Sequence, residues 1–251
     1  INESVSASSP TVIVKDSVWY INTTTWVNDS IVYIEDTHIA VCHEATLYVS
    51  NTTFRFNLST PSEGYFDIQD NASIYIEDSY LGMNASSALD NWIGIYTAGN
   101  DTGHIDIQSS VFDACGITPV VIESCFKSLT IQDSQFTNLN LSVIGSQLIM
   151  AWDSDDVYLS NVSFSGTING TDSLFFFQSS YSTNYTLKDI DVSGLNYTTY
   201  VNDTADGVVF VNSSGGRLLI DGFDFSPNLP LAIGVFVYSV DTNVMVKESS
   251  Y

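Results

Sequence analysis

Asp153, Asp155 and Asp156 place three carboxylates within four residues. Paired carboxyl groups do general acid–base work when one is desolvated and held protonated while the other stays ionised. Here the trio separates two apolar runs, LIMAW from Leu148 and VYLS from Val157, and reads as a solvated acidic turn. His38, Cys42 and His43 carry metal-ligating chemistry. Along a strand His38 and Cys42 share one face and His43 takes the other, so a shared ion needs a turn between them. Three cysteines with no CxxC and no histidine at ligand spacing do not make a zinc site. GxSxG, a phosphate loop and a dinucleotide fingerprint are all missing from the sequence. The expectation is no catalytic residue, no metal and no cofactor.

A different chemistry recurs along the whole chain. Asn-X-Ser/Thr occurs at Asn2, Asn22, Asn28, Asn51, Asn57, Asn71, Asn84, Asn100, Asn140, Asn161, Asn169, Asn184, Asn196, Asn202 and Asn212, which is 15 of 19 asparagines. Ser and Thr make up 57 of 251 residues, so chance places about four asparagines in such triplets. Turn-forming composition explains the residue types but not their coupling at i and i+2. Each triplet is an acceptor for a bulky, solubilising glycan on an exported surface. The chain is therefore expected to be an extracellular glycoprotein. Asn51 and Asn161 are set apart from the acceptors, because both also fall on the repeat's turn position described below.

Cys115 and Cys125, ten residues apart, are candidates for a local disulfide, which leaves Cys42 for a bond to a neighbouring molecule or as a free thiol. The competing reading is three reduced thiols packed as small apolar residues. Twenty-nine acids face six Lys and Arg, giving a formal net charge of −23. Such a surface repels phosphate backbones and anionic headgroups, which argues against nucleic acid as a partner. The longest nearly apolar stretch, Leu229 to Tyr238, is too short to span a bilayer and holds Pro230 and Gly234, so no membrane insertion is expected. With 44% apolar and 13% aromatic residues the chain has the means to fold. It opens at Ile1 without a basic or apolar leader, as a mature, processed product does.

The element that must position all of this is a repeat, apolar-x-apolar-x-(Asp/Asn)-x-x-apolar. Copies read VIVKDSVW to Trp19, VYIEDTHI to Ile39, LYVSNTTF to Phe54, IYIEDSYL to Leu81, IDIQSSVF to Phe112, LTIQDSQF to Phe136, VYLSNVSF to Phe164, YTLKDIDV to Val192, LLIDGFDF to Phe225 and VMVKESSY to Tyr251. Taking the second strand residue as marker gives Val14, Ile34, Val49, Ile76, Ile107, Ile131, Leu159, Leu187, Ile220 and Val246, about 26 residues apart on average. Two residues after the marker stands Asp16, Asp36, Asn51, Asp78, Asp133, Asn161 or Asp189, short side chains that tolerate a left-handed turn. Further strand-like runs, such as WIGIY from Trp92 and VVFV from Val208, fall between the copies. No stretch of helical length shows a 3.6-residue period. A period near 26 that holds several strands and varies in length fits one rung of a parallel β-solenoid, whereas propeller blades need about 40 or more residues. The expected fold is all-β: a single parallel β-helix of about ten rungs over residues 11–251, preceded by an extension over 1–10.

This tandem motif resembles the right-handed parallel β-helix proteins of the pectate-lyase-like superfamily, over residues 11–251. The resemblance implies a hearing for polysaccharide chemistry. Lyases of that kind bind an anionic sugar through calcium and take a proton with a basic residue, and the hydrolases use aspartates near NxD, DD and HG signatures. Asp155-Asp156 matches the pair, but no His-Gly exists. Lys15, Lys188 and Lys247 fall at solvent-facing repeat positions, only Lys127, Arg55 and Arg217 add to them, and the charge of −23 repels uronates. The dense acceptor triplets, scarce bases and Ser/Thr/Asn/Tyr richness also resemble archaeal cell-envelope proteins, the surface-layer and sheath proteins of methanogens.

An unfinished stack presents unpaired strand edges that template another copy. VMVKESSY falls on the terminal residues with no cap segment, so copies are expected to join end to end as a homopolymer, with N-linked glycans wetting the outside. The alternative is a secreted polysaccharide-acting or carbohydrate-binding β-helix, with Trp26, Trp92 or Trp152 stacking on sugars, or an adhesin module.

Overall fold

A computed structural model describes residues 4–5, 11–15, 17–58, 63–83, 92–97, 103–113, 120–141, 147–152, 155–168, 175–180, 184–197, 207–213, 216–223, 233–239 and 242–248. Among them no helix occurs, and every strand pairing is parallel. The chain coils as a β-solenoid with three strand faces. On the first face a column runs in register through Val5, Val27, Val49, Ile76, Ile107, Ile131, Leu159, Leu187, Ile220 and Val246. On the second face Val12, Val32, Phe54, Leu81, Phe112, Phe136 and Phe164 are aligned. The third face stacks Trp19, Ile39, Phe66, Ile95, Ile122, Ile149, Phe177, Val209 and Val235.

Period-two alternation buries members such as Val49, Phe54 and Phe66 and turns their strand neighbours outward. Ile31–Glu35, Thr46–Ser50 and Thr53–Asn57 each alternate half-exposed and buried along their length. Because turns are stacked in register, like sits on like: the rings of Phe112, Phe136 and Phe164 follow one another at 4.9 Å, with interplanar angles of 21° and 5°. Such pairs contribute about 0.5–1.5 kcal/mol beyond their area burial.

One part of the expected alignment is corrected. Val14 and Ile34 do not share a column with Val49; they align with Phe56 on the second face, and their anchors Trp19 and Ile39 lie on the third. The missing member is Val27, whose segment Val27-Asn28-Asp29-Ser30-Ile31-Val32 has the turn and the anchor but Thr25 where the motif wants an apolar residue. The same turn device therefore serves two corners. In addition, Ser4–Val5, within the segment expected to be an extension, pairs with Trp26 and Val27.

At the first corner, two residues past the column, the backbone turns left-handed at every described turn. Asp29, Asn51, Asp78, Ser109, Asp133, Asn161, Asp189 and Glu248 have φ between 43° and 52°, and Gly222 has φ 69°. Asp, Asn and Gly tolerate this region at least cost, which accounts for the residue types. Asp36 does the same at the second corner. Asp16 lies outside the described residues.

Backbone groups at the first corner bond across turns instead of within one. Asn51 N–H donates to the Glu77 carbonyl at 3.2 Å and Asp78 N–H to Gln108 at 3.1 Å, while Thr53 and Tyr80 N–H donate the other way, to Ser30 and Thr52, both at 2.9 Å. Behind them runs a buried hydroxyl column of Ser30, Thr52, Ser79, Ser110 and Ser134. Each Oγ donates to the carbonyl two residues back, at 2.6–2.9 Å. The same oxygens of Ser79, Ser110 and Ser134 accept the N–H of Thr52, Ser79 and Ser110 from the turn before, at 3.1–3.2 Å. A buried donor left without its acceptor costs about 1–3 kcal/mol, so these hydroxyls stabilise each corner. Farther along, Val162, Ile190 and Phe223 fill the same column with apolar side chains.

Candidate functional site

The first corner presents a line of carboxylates and amides to solvent. Asn51 donates Nδ2–H to Asp29 Oδ1 at 2.7 Å, Asn161 to Asp133 at 2.6 Å, and, at the start of the first-face strand, Asn184 to Asp156 at 3.0 Å. Asn138 donates in the same way to Asp113. Each Asn reaches the Asp one turn earlier, an amide-on-carboxylate ladder that keeps like charges from stacking directly. Asn51, Asn161 and Asn184, all in Asn-X-Ser/Thr triplets, thus each tie the side-chain amide nitrogen to a carboxylate.

The other acceptor triplets fall elsewhere. Asn22 and Asn71 are exposed near the third corner, Asn57 is half-exposed where the second face ends, and Asn196 is exposed on the second face. Asn28 lies at the end of a first-face strand and accepts from Ser50 Oγ at 3.0 Å. Asn140 and Asn212 fall on the strands Val120–Leu141 and Gly207–Ser213. Asn2, Asn84, Asn100, Asn169 and Asn202 lie outside the described residues.

Cys42 is a free thiol, 6% exposed, with Sγ 3.7 Å from the Ile21 carbonyl oxygen it faces. Burial, then the charges of Asp70 and Asp67, push the thiol up from its ordinary range, keeping it protonated and unreactive. A bond from this sulfur to a neighbouring molecule requires the third corner to open. Cys125 lies on a third-face strand opposite Trp152, and Cys115 is outside the described residues.

His43 Nδ1 sits 3.3 Å from Asp70 Oδ2 at the third corner, while His38 stacks on Tyr65 at 4.5 Å. Burial holds His38 below its ordinary range, with Asp67 opposing. Among the described residues no group of three or more His, Cys, Asp and Glu is arranged to hold a metal ion. Asp155 and Asp156 are both exposed, and Asp156 is an acceptor in the ladder. Lys15 pairs with Glu35 at 3.1 Å, and Lys188 and Lys247 alternate with Asp221 in one outward row.

Two surface features were not legible in the motif. Trp26, Tyr48 and Tyr75 stack outward on the first face at 5.6 and 5.0 Å, and next to Tyr75 lies a hollow of about 260 Å³ lined also by Glu77, Asp106 and Gln108. Gln108 Nε2 donates to Asp106 Oδ1 at 3.1 Å, fixing one wall. On the second face Arg55 spans Tyr80, its guanidinium 4.4 Å from the ring centre and Nη1 3.2 Å from the hydroxyl, which in turn donates to Asp113. The sequence signal for both was the run of outward residues within the repeat, readable only once register is known.

The last feature is the strand Thr242–Lys247. It pairs along one side with Gly216–Asp221, and Val244, Met245 and Val246 stand 46, 44 and 43% exposed, although Val244 and Val246 belong to inward columns. Compared with protein-family models, with curated proteins and with solved structures, the chain matches none of them.

Proposed function

We propose that this chain is a structural, non-catalytic extracellular glycoprotein whose copies stack end to end into an envelope layer, sheath or filament, the role implied by its compositional resemblance to methanogen sheath and surface-layer proteins. The observation that carries the reading is the register of the coil, whose first-face column runs unbroken through parallel strands from Val27 to Val246. A further parallel rung, supplied by a second copy, continues such a column with the same strand direction and no change of geometry. Such head-to-tail contact does not close on itself and yields an open polymer. The excess of acceptor triplets supports an exported, glycan-clad exterior, and solvent-facing acids limit sideways pairing.

Sedimentation and electron microscopy of the purified chain test this. Elongated, concentration-dependent oligomers are expected; a monomer that persists at millimolar concentration overturns the reading.

A carbohydrate-binding role is the second reading, favoured by the Tyr75 hollow, where an aromatic ring adjoins Asp106, Gln108 and Glu77. Saturation by neutral hexoses in a titration, lost in Tyr75→Ala, would favour it over assembly.

A further inference from the structure

We infer that Asn51, Asn161 and Asn184 are ladder amides that stay unmodified in the native protein, and that N-glycans are carried by the second-face and third-corner acceptors Asn22, Asn57 and Asn196. The inference rests on the glycoprotein reading above and deepens it.

Glycan transfer joins Asn Nδ2 to the anomeric carbon of an oligosaccharide activated on a lipid phosphate. The C–O bond to phosphate breaks, one amide proton is lost, and the lipid phosphate leaves. The reacting atom is thus Nδ2. In Asn51, Asn161 and Asn184 that nitrogen lies 2.6–3.0 Å from an Asp oxygen of the preceding turn. Adjacent turns are only about 4.8 Å apart, too close for a sugar ring to sit between two ladder side chains. A glycan at these positions leaves Nδ2 a single hydrogen and sets a sugar ring against the neighbouring turn, so a modified Asn keeps its bond to the Asp only by crowding that turn.

The triplets at these sites have another origin. Asn51 and Asn161 supply the left-handed corner residue, with φ of 45° and 52°, and Thr53 and Ser163 are the outward strand positions that follow. Asn184 is followed by the outward Thr186 on its own strand. Asn138 makes the same bond without being in a triplet, so the ladder accounts for an Asn there with no glycan to explain. Asn22 and Thr24 are both exposed, and Asn196 is exposed as well. Setting three triplets aside leaves twelve, still well above the chance figure of about four.

Glycopeptide mass spectrometry of the native protein reads each site. Asn51, Asn161 and Asn184 are expected bare, with glycans on Asn22, Asn57 and Asn196; glycans on most copies of Asn51 or Asn161 overturn this inference alone. No glycan anywhere overturns the glycoprotein reading and the glycan half of this one. The ladder half is read separately, on chain made without glycans. Asn51→Asp and Asn161→Asp, which stack carboxylates on consecutive turns, are expected to lower Tm by at least about 3 °C. Asn22→Asp and Asn196→Asp should leave it unchanged, and equal shifts in all four overturn the ladder assignment.

Discussion

Asn51 hands an amide hydrogen to Asp29 across one turn of the solenoid, at 2.7 Å, and both residues hold left-handed backbone, with φ of 45° and 50°. One residue type thus meets two demands at once, the sterics of the corner and the link between turns. A double-mutant cycle with Asp29→Ala and Asn51→Ala isolates the second demand from the first. Both side chains are exposed, so the coupling energy from urea unfolding should be modest, about 0.5–1 kcal/mol. A coupling of zero would mean that only backbone sterics selects these residues.

Phe136 is held between Phe112 and Phe164 at 4.9 Å on each side. Phe136→Ala opens a cavity in the middle of a continuous stack and should cost about 3–5 kcal/mol in denaturant unfolding. Phe136→Leu should cost less than half of that.

Cys42 gives a kinetic readout of the third corner. Its buried, protonated thiol should react with a maleimide at neutral pH at least about tenfold more slowly than the same thiol in the urea-unfolded chain. Fast labelling of the folded protein would show that this corner opens readily, and with it the route to an intermolecular disulfide.

Tyr80 predicts behaviour in alkali. Burial first, then its hydrogen bond to Asp113, raises the phenol above its ordinary value, while Arg55 pulls it down. A phenol whose folded-state affinity for its proton is raised adds stability that is intact below about pH 10 and lost as pH climbs through its folded titration. Absorbance titration of the wild type minus Tyr80→Phe should show the late-ionising component, and the variant should lose less stability between neutral and strongly alkaline pH.

The repeat was readable because the solenoid repeats the same physical problem at each corner. Val49-x-Asn51-x-x-Phe54, Ile76-x-Asp78-x-x-Leu81 and Ile131-x-Asp133-x-x-Phe136 each spell strand, left-handed turn and inward anchor. The hydroxyl column was also present as the Ser or Thr after the corner residues from Asp29 to Asp133, as in Asp29-Ser30, Asn51-Thr52 and Asp78-Ser79, but a lone hydroxyl in sequence looks like surface. Its burial follows from neighbouring turns, whose N–H groups it accepts. The same limit misplaced Val14 and Ile34: two corners use the same motif, and only pairing partners tell one corner from the other.

Spacing within one turn was enough to read that the chain is all-β, coiled in parallel, built on aspartate and asparagine corners and dense in Asn-X-Ser/Thr triplets. The tertiary structure alone decided which acceptor amides are tied to a carboxylate, that Cys42 is sealed, and that Trp26, Tyr48 and Tyr75 form one stack. Those contacts join residues 20–30 positions apart, where a shift of one residue in register sends a side chain to the opposite face.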